Sequence, residues 1–180
     1  MINKTFIFSA IFFGVAAGLA CFSFFYILKV NDAMPLGTRR NIGMVFMWIG
    51  MALAVYRYWK SQRQPLNFLV VLMLCLITMG IASVVDGLMV VSYVKYIEPS
   101  MLSDFIVQLK RLALQDQTAM KREFGNQENG GMINYDEFLK QIDQISLDSI
   151  FWNNFSLLRM VFHLLYSALI SIGFRRLSIQ

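Results

Sequence analysis

Four stretches nearly free of polar residues divide this chain: about Thr5–Leu28, Ile42–Tyr58, Phe68–Tyr93 and about Phe155–Phe174. Each runs for about 17–26 residues and lacks the recurring polar positions of a helix with one wet face. At about 1.5 Å of rise per residue, such a run crosses a hydrocarbon layer of roughly 30 Å, the longer ones with tilt. A buried helix of a soluble domain is the competing reading. Four such runs in one short chain argue against it.

The pattern changes between the third and fourth runs. Leu102, Phe105, Ile106, Leu109, Leu112 and Ala113 recur at helical spacing, which predicts an amphipathic helix over Met101–Phe124. Ser100 can cap its start, Asp104 suits its first turn, Lys121 and Arg122 suit its last, and Gly125 can end it. A polar turn, Asn126–Gly131, leads to a second short helix from Tyr135 to about Ile145, capped by Asn134 with Glu137 three residues on. The expected fold is therefore an all-α membrane protein. Residues 1–96 carry transmembrane helices one to three, 97–149 an extramembrane amphipathic hairpin, and 150–180 the fourth helix with a basic C-terminus.

Composition agrees. Of 180 residues, 57% are hydrophobic and 15% charged, against roughly 25% charged in soluble domains. The mean hydropathy is +0.56. A soluble core this small cannot hide so much apolar surface. Charge is sorted along the chain: Ile97–Ser149 holds five basic and nine acidic residues, a net of −4, whereas the remainder holds eleven basic residues and only Asp32 and Asp86 as acids, a net of +9. The pI of 9.4 thus reads as charge distributed across a membrane, not as a nucleic-acid surface. With both termini on one side, that side carries Lys4, Arg57, Lys60, Arg63, Arg175 and Arg176; the other carries Lys29, Arg39, Arg40 and Lys95. The positive-inside rule then puts both termini in the cytoplasm.

Cys21 and Cys75 both fall inside apolar runs at different depths, so no disulfide is expected. A lipoprotein signal ending at Cys21 is rejected. Gly18 stands where such a signal wants a branched aliphatic residue, and the apolar run continues through Phe22–Leu28.

The stretch Tyr93-Val-Lys-Tyr-Ile-Glu-Pro-Ser-Met-Leu102 and the small-residue helix Leu164–Arg176, which ends in basic residues, carry a resemblance. In both, the chain resembles a domain-of-unknown-function family of small four-helix inner-membrane proteins of Gram-negative bacteria. The chain departs from that pattern in its glycine-rich, acidic 125–137 stretch. The resemblance implies a multi-pass protein of the bacterial inner membrane with an extramembrane helix after the third span, and cytoplasmic termini then place 97–149 in the periplasm. It implies no activity and no catalytic residues.

Asp86, the only acid within the apolar runs, and Arg159 and His163 of the fourth run are the most informative polar residues. Charges there are costly and usually pair, reach to water or serve a site. Asp86 lies about 18 residues, or ~27 Å, along the third helix, and Arg159 about 15 residues from the far end of the fourth. That gives them similar depth toward the outer end, with His163 one turn from Arg159 on the same face. Three readings stand: an Asp86–Arg159 ion pair with His163 hydrogen-bonded nearby, side chains that snorkel to water, or a polar site for a proton, an ion or a lipid head group. Small residues suggest helix-packing faces. Ala10, Gly14 and Gly18 recur every four residues, Gly80 and Gly87 lie one heptad apart, and Ser167 and Ser171 one turn apart.

Residues 126–138 resemble an EF-hand loop, with Asn126, Glu128 and Glu137 at ligand positions and Gly131 at the turn. Asn126 replaces the usual first Asp, Gly130 offers no side-chain ligand, and two carboxylates are few for a tight calcium site. A glycine-rich turn between two helices is the preferred reading, and no metal or other cofactor is expected. One histidine and two separated cysteines form no zinc cluster, and no phosphate loop or nucleophile elbow is present. The expected function is a non-catalytic accessory or scaffold subunit in contact with lipid and either another integral membrane protein or further copies of itself. The alternative is a small transporter or lipid-handling protein built on Asp86, Arg159 and His163.

Overall fold

The computed structural model describes residues 3–62, 66–115 and 135–177. Their regular structure is all helix, with no strand among them. Two compact units divide the chain: Met1–Val90 with Phe151–Gln180, and Val91–Ile150.

The first unit is built on α1 (Lys4–Val30), a 3-10 helix over Thr38–Gly43, α2 (Met44–Ser61), α3 (Phe68–Tyr96, as far as Val90) and the last helix, Leu157–Leu177. With the helical turns that precede them, these form four segments long and apolar enough to span a membrane: Lys4–Val30, Thr38–Ser61, Phe68–Tyr96 and Leu147–Leu177. The protein is a multi-pass, all-α membrane protein. Asn3 caps α1, its Oδ1 accepting from the Phe6 N–H at 2.9 Å. The helix ends in a Schellman motif: the Ala33 N–H donates to Leu28 and that of Asp32 to Lys29, while Asp32 takes a φ of +51°.

Lipid tails are as apolar as leucine, so helix association here rests on close packing. Gly14 and Gly18 of α1 lie against α3. A Cβ on Gly14 would sit 2.8 Å from Ile81 Cβ, and one on Gly18 would sit 2.7 Å from Val85 Cβ and 2.8 Å from the Ala82 carbonyl oxygen. Gly50 of α2 plays the same part against α1, where a Cβ would lie 2.7 Å from that of Ala17. Gly80 does not share in this. Nothing lies within 4 Å of a Cβ built there, so the expected Gly80–Gly87 face packs only at Gly87. Heptad spacing puts both residues on similar azimuths, but only at the Gly87 level does another segment come close.

One end of the unit is a dry apolar core in which Phe6, Met51, Ala54, Val55, Tyr58, Val71 and Leu74 are buried together. Phe6 meets Tyr58 edge-on at 5.7 Å. The other end is polar.

In the second unit, α4 (Ser100–Gln115) and α5 (Tyr135–Asp143) pack together as a hairpin, pinned by a 2.5 Å ion pair from Lys110 Nζ to Asp143 Oδ1. The chain leaves α3 through Glu98, whose N–H donates to the Tyr93 carbonyl, and Pro99 forbids continuation. The short α6 (Leu147–Trp152), which crosses into the first unit, is started by Ser146 and Ser149, each side-chain oxygen accepting from the other's N–H. Residues 116–124 of the predicted long amphipathic helix lie outside the described residues, as do Asn134 and, in the calcium-loop candidate, Asn126 and Glu128. Glu137 is exposed on α5.

Candidate functional site

The polar end of the first unit gathers where α1 ends, α2 begins, α3 nears Val90 and the last helix, α7 (Leu157–Leu177), starts. Asp86 of α3 is 3% exposed and Arg40 of the 3-10 helix 7%, and their side chains form a direct ion pair through Oδ2 and Nη2. Asn154, buried in the 3-10 turn Asn153–Phe155, donates from Nδ2 to the same Asp86 oxygen at 3.4 Å. Its Oδ1 accepts from Arg159 Nη1 at 2.7 Å. The other arm of the Arg159 guanidinium, Nη2, donates to Asn41 Oδ1. One polar chain therefore joins three spans, running Arg40, Asp86, Asn154, Arg159, Asn41.

This corrects the pairing expected from the sequence. Asp86 and Arg159 share the site but do not pair directly. Arg40 takes the carboxylate, and Asn154 separates it from Arg159. The physical reason is the 3-10 helix, which turns Arg40 inward at the depth of Asp86. In the sequence Arg40 counts only among the basic residues of the first outer loop. Arg40 also lies 6.0 Å from the centroid of Phe25, a buried ring on α1. Gly87, next to Asp86, gives Asn154 its approach: a Cβ there would lie 2.7 Å from the Phe151 ring and 3.0 Å from Asn154 Nδ2. Cys21 closes the floor, its thiol donating to the Gly43 carbonyl at 3.1 Å.

His163 is 1% exposed and belongs to a neighbouring arrangement. Trp48 Nε1 of α2 donates to His163 Nδ1 at 3.3 Å, and the Trp48 ring stacks on Tyr166 at 4.8 Å. A neutral imidazole accepting at Nδ1 carries its proton on Nε2. The Ser167 hydroxyl donates to the backbone carbonyl of His163 at 2.7 Å rather than to the ring, and Ser171 does the same to Ser167. Both hydroxyls are thus satisfied within their own helix.

Two features of the cluster are unbalanced. Asp86 Oδ1 is buried and has no hydrogen-bond partner among the described residues. The cluster holds two guanidinium groups and one carboxylate, which pairs with Arg40, and among the described residues Arg159 meets only side-chain amides. Among the described residues no three potential metal ligands come together.

A family model described as a protein of unknown function, DUF4199, matches residues 12–176. This chain belongs to the DUF4199 family. The matched span contains every residue of the polar cluster and all but the first turns of α1. The resemblance drawn from Tyr93–Leu102 and Leu164–Arg176 is borne out. No curated protein and no solved structure matches the DUF4199 chain.

The residues missed in the sequence are Arg40, Asn41, Asn154 and Trp48. Arg40 carried a usable signal, because the Arg39–Arg40 loop and Asp86 were both assigned to the same end of the membrane. Asn154 carried none, since a neutral amide before a helix reads as a cap.

Proposed function

We propose that the protein is a non-catalytic accessory or scaffold subunit of a bacterial cytoplasmic membrane, with both termini cytoplasmic and 97–149 periplasmic, and that it binds another integral membrane protein. The observation that carries this reading is the uneven use of the four spans. The fourth is the least buried of them: α7 fully buries only His163, Ser167, Ile170 and Ser171, half-buries Tyr166 and Phe174 against α2, and leaves Leu158, Leu165 and Leu169 uncovered. A helix that contributes so narrow a face to its own bundle keeps a broad one for a partner. The polar cluster fits a structural role, since most of its groups engage one another and tie the ends of three spans together. For orientation, Arg40 leaves the count of outer cations because Asp86 neutralises it, but Arg159 enters it, so six basic residues still oppose four.

The test is a photo-crosslinker placed at Leu165 or Leu169 in the native membrane, with Met73 of α3, equally exposed, as control. The expected result is one defined protein adduct from α7 and none from Met73, matched by a stoichiometric complex on gentle purification. An adduct of twice the chain's mass would make the partner a second copy. Lipid adducts alone at every position would defeat the proposal.

A second reading, a small transporter or lipid-handling protein, is favoured by the unpartnered Asp86 oxygen and the surplus cation at Arg159. Substituting Asp86, Arg159 or His163 would then abolish transport in protein that still folds. A loss confined to thermal stability would exclude it.

A further inference from the structure

Two cations and one acid at the polar end leave a net positive charge among buried and half-buried groups. Arg159 is half-buried, and two of its N–H groups meet the side-chain oxygens of Asn41 and Asn154. Neither partner carries charge, and no carboxylate pairs with Arg159 among the described residues. A guanidinium has five donors, so Arg159 retains unpaired N–H groups. Asp32, the other acid of this unit, is exposed and forms no ion pair. Arg39, exposed in the same 3-10 turn as Asn41, adds a further positive charge.

Arg159 also stands in the first turn of α7, a helix of 21 residues. The first backbone bond into that helix runs from the Met160 N–H to the Ser156 carbonyl, so among the described residues the backbone amides of Leu157, Leu158 and Arg159 are the open donors of a helix N-terminus. The positive end of the helix dipole therefore coincides with the uncompensated guanidinium.

We propose that this end of the bundle binds a phosphate oxyanion, held by the free N–H groups of Arg159, the side-chain amide of Asn41 and the first-turn amides of α7. The same chemistry is offered by an anionic phospholipid head group and by free inorganic phosphate. The site is independent of any partner on α7. Its ligand supplies the counter-charge that no described residue gives Arg159.

The experiment uses the full-length protein in a maltoside detergent, which carries no phosphate. Thermal unfolding is followed while dioleoylphosphatidylglycerol, dioleoylglycerol or sodium phosphate is added. Phosphatidylglycerol should raise Tm, and dioleoylglycerol, with the same tails and no phosphate, should not. A rise with phosphatidylglycerol alone makes the ligand a lipid. An equal rise with sodium phosphate makes it the free anion. Arg159→Gln should weaken the apparent affinity roughly tenfold or more, and Arg159→Lys should keep most of it. Because Arg159→Gln also removes two internal hydrogen bonds, Asn41→Asp is the second variant. It supplies an internal counter-ion, so it should raise Tm without ligand and abolish the response to phosphatidylglycerol. An equal response to dioleoylglycerol, or wild-type responses in both Arg159→Gln and Asn41→Asp, overturns the proposal.

Discussion

The Arg40–Asp86 pair is the contact on which the polar end turns, and a double-mutant cycle measures it. Both side chains are almost wholly buried, and the second oxygen of Asp86 already lacks a partner. Arg40→Gln therefore leaves a carboxylate supported only by Asn154, at 3.4 Å. Removing one member of a buried pair costs about 3–5 kcal/mol in soluble proteins. Unfolded membrane helices find alternative partners, so about 3 kcal/mol is expected here. Asp86→Asn strands the Arg40 guanidinium at similar cost. The double variant removes both charges together and should be only slightly worse than either single one, giving a coupling of roughly 2–3 kcal/mol. Reversible unfolding in mixed detergent micelles, followed by helical circular dichroism, reports each value. The same cycle between Asp86 and Arg159, which communicate only through Asn154, should give less than about 1 kcal/mol. Additivity between Arg40 and Asp86, or a larger coupling to Arg159, would refute the assignment of the ion pair.

Two further predictions concern backbone and packing. Gly18→Ala should destabilise the bundle by about 1–3 kcal/mol, because the new methyl meets Val85 Cβ and the Ala82 carbonyl, whereas Gly80→Ala should be neutral or stabilising by up to ~1 kcal/mol; the same unfolding assay separates them. Asp32→Gly should stabilise by about 0.5–1 kcal/mol, since a left-handed φ costs a residue that has a Cβ and the exposed Asp32 side chain forms no ion pair among the described residues.

The amino-acid sequence by itself determined the solvent of this protein and the number of its spans. Long unbroken apolar runs need no partner to declare themselves, because length against bilayer thickness is a one-dimensional criterion. The predicted starts at Thr5, Ile42, Phe68 and Phe155 fall within two residues of the helices that begin at Lys4, Met44, Phe68 and Leu157. The depth of Asp86 and Arg159 was legible for the same reason, since rise per residue converts position into height. Azimuth and partner were not. Which cation meets Asp86 depends on how the Thr38–Gly43 turn folds inward, and Gly80 and Gly87 are alike in spacing yet only one meets a neighbour. Those choices belong to packing between segments distant in the chain, such as Gly87 against Phe151 and Trp48 against His163. Height is a property of one helix, but contact is a property of two, and only the tertiary structure supplies the second.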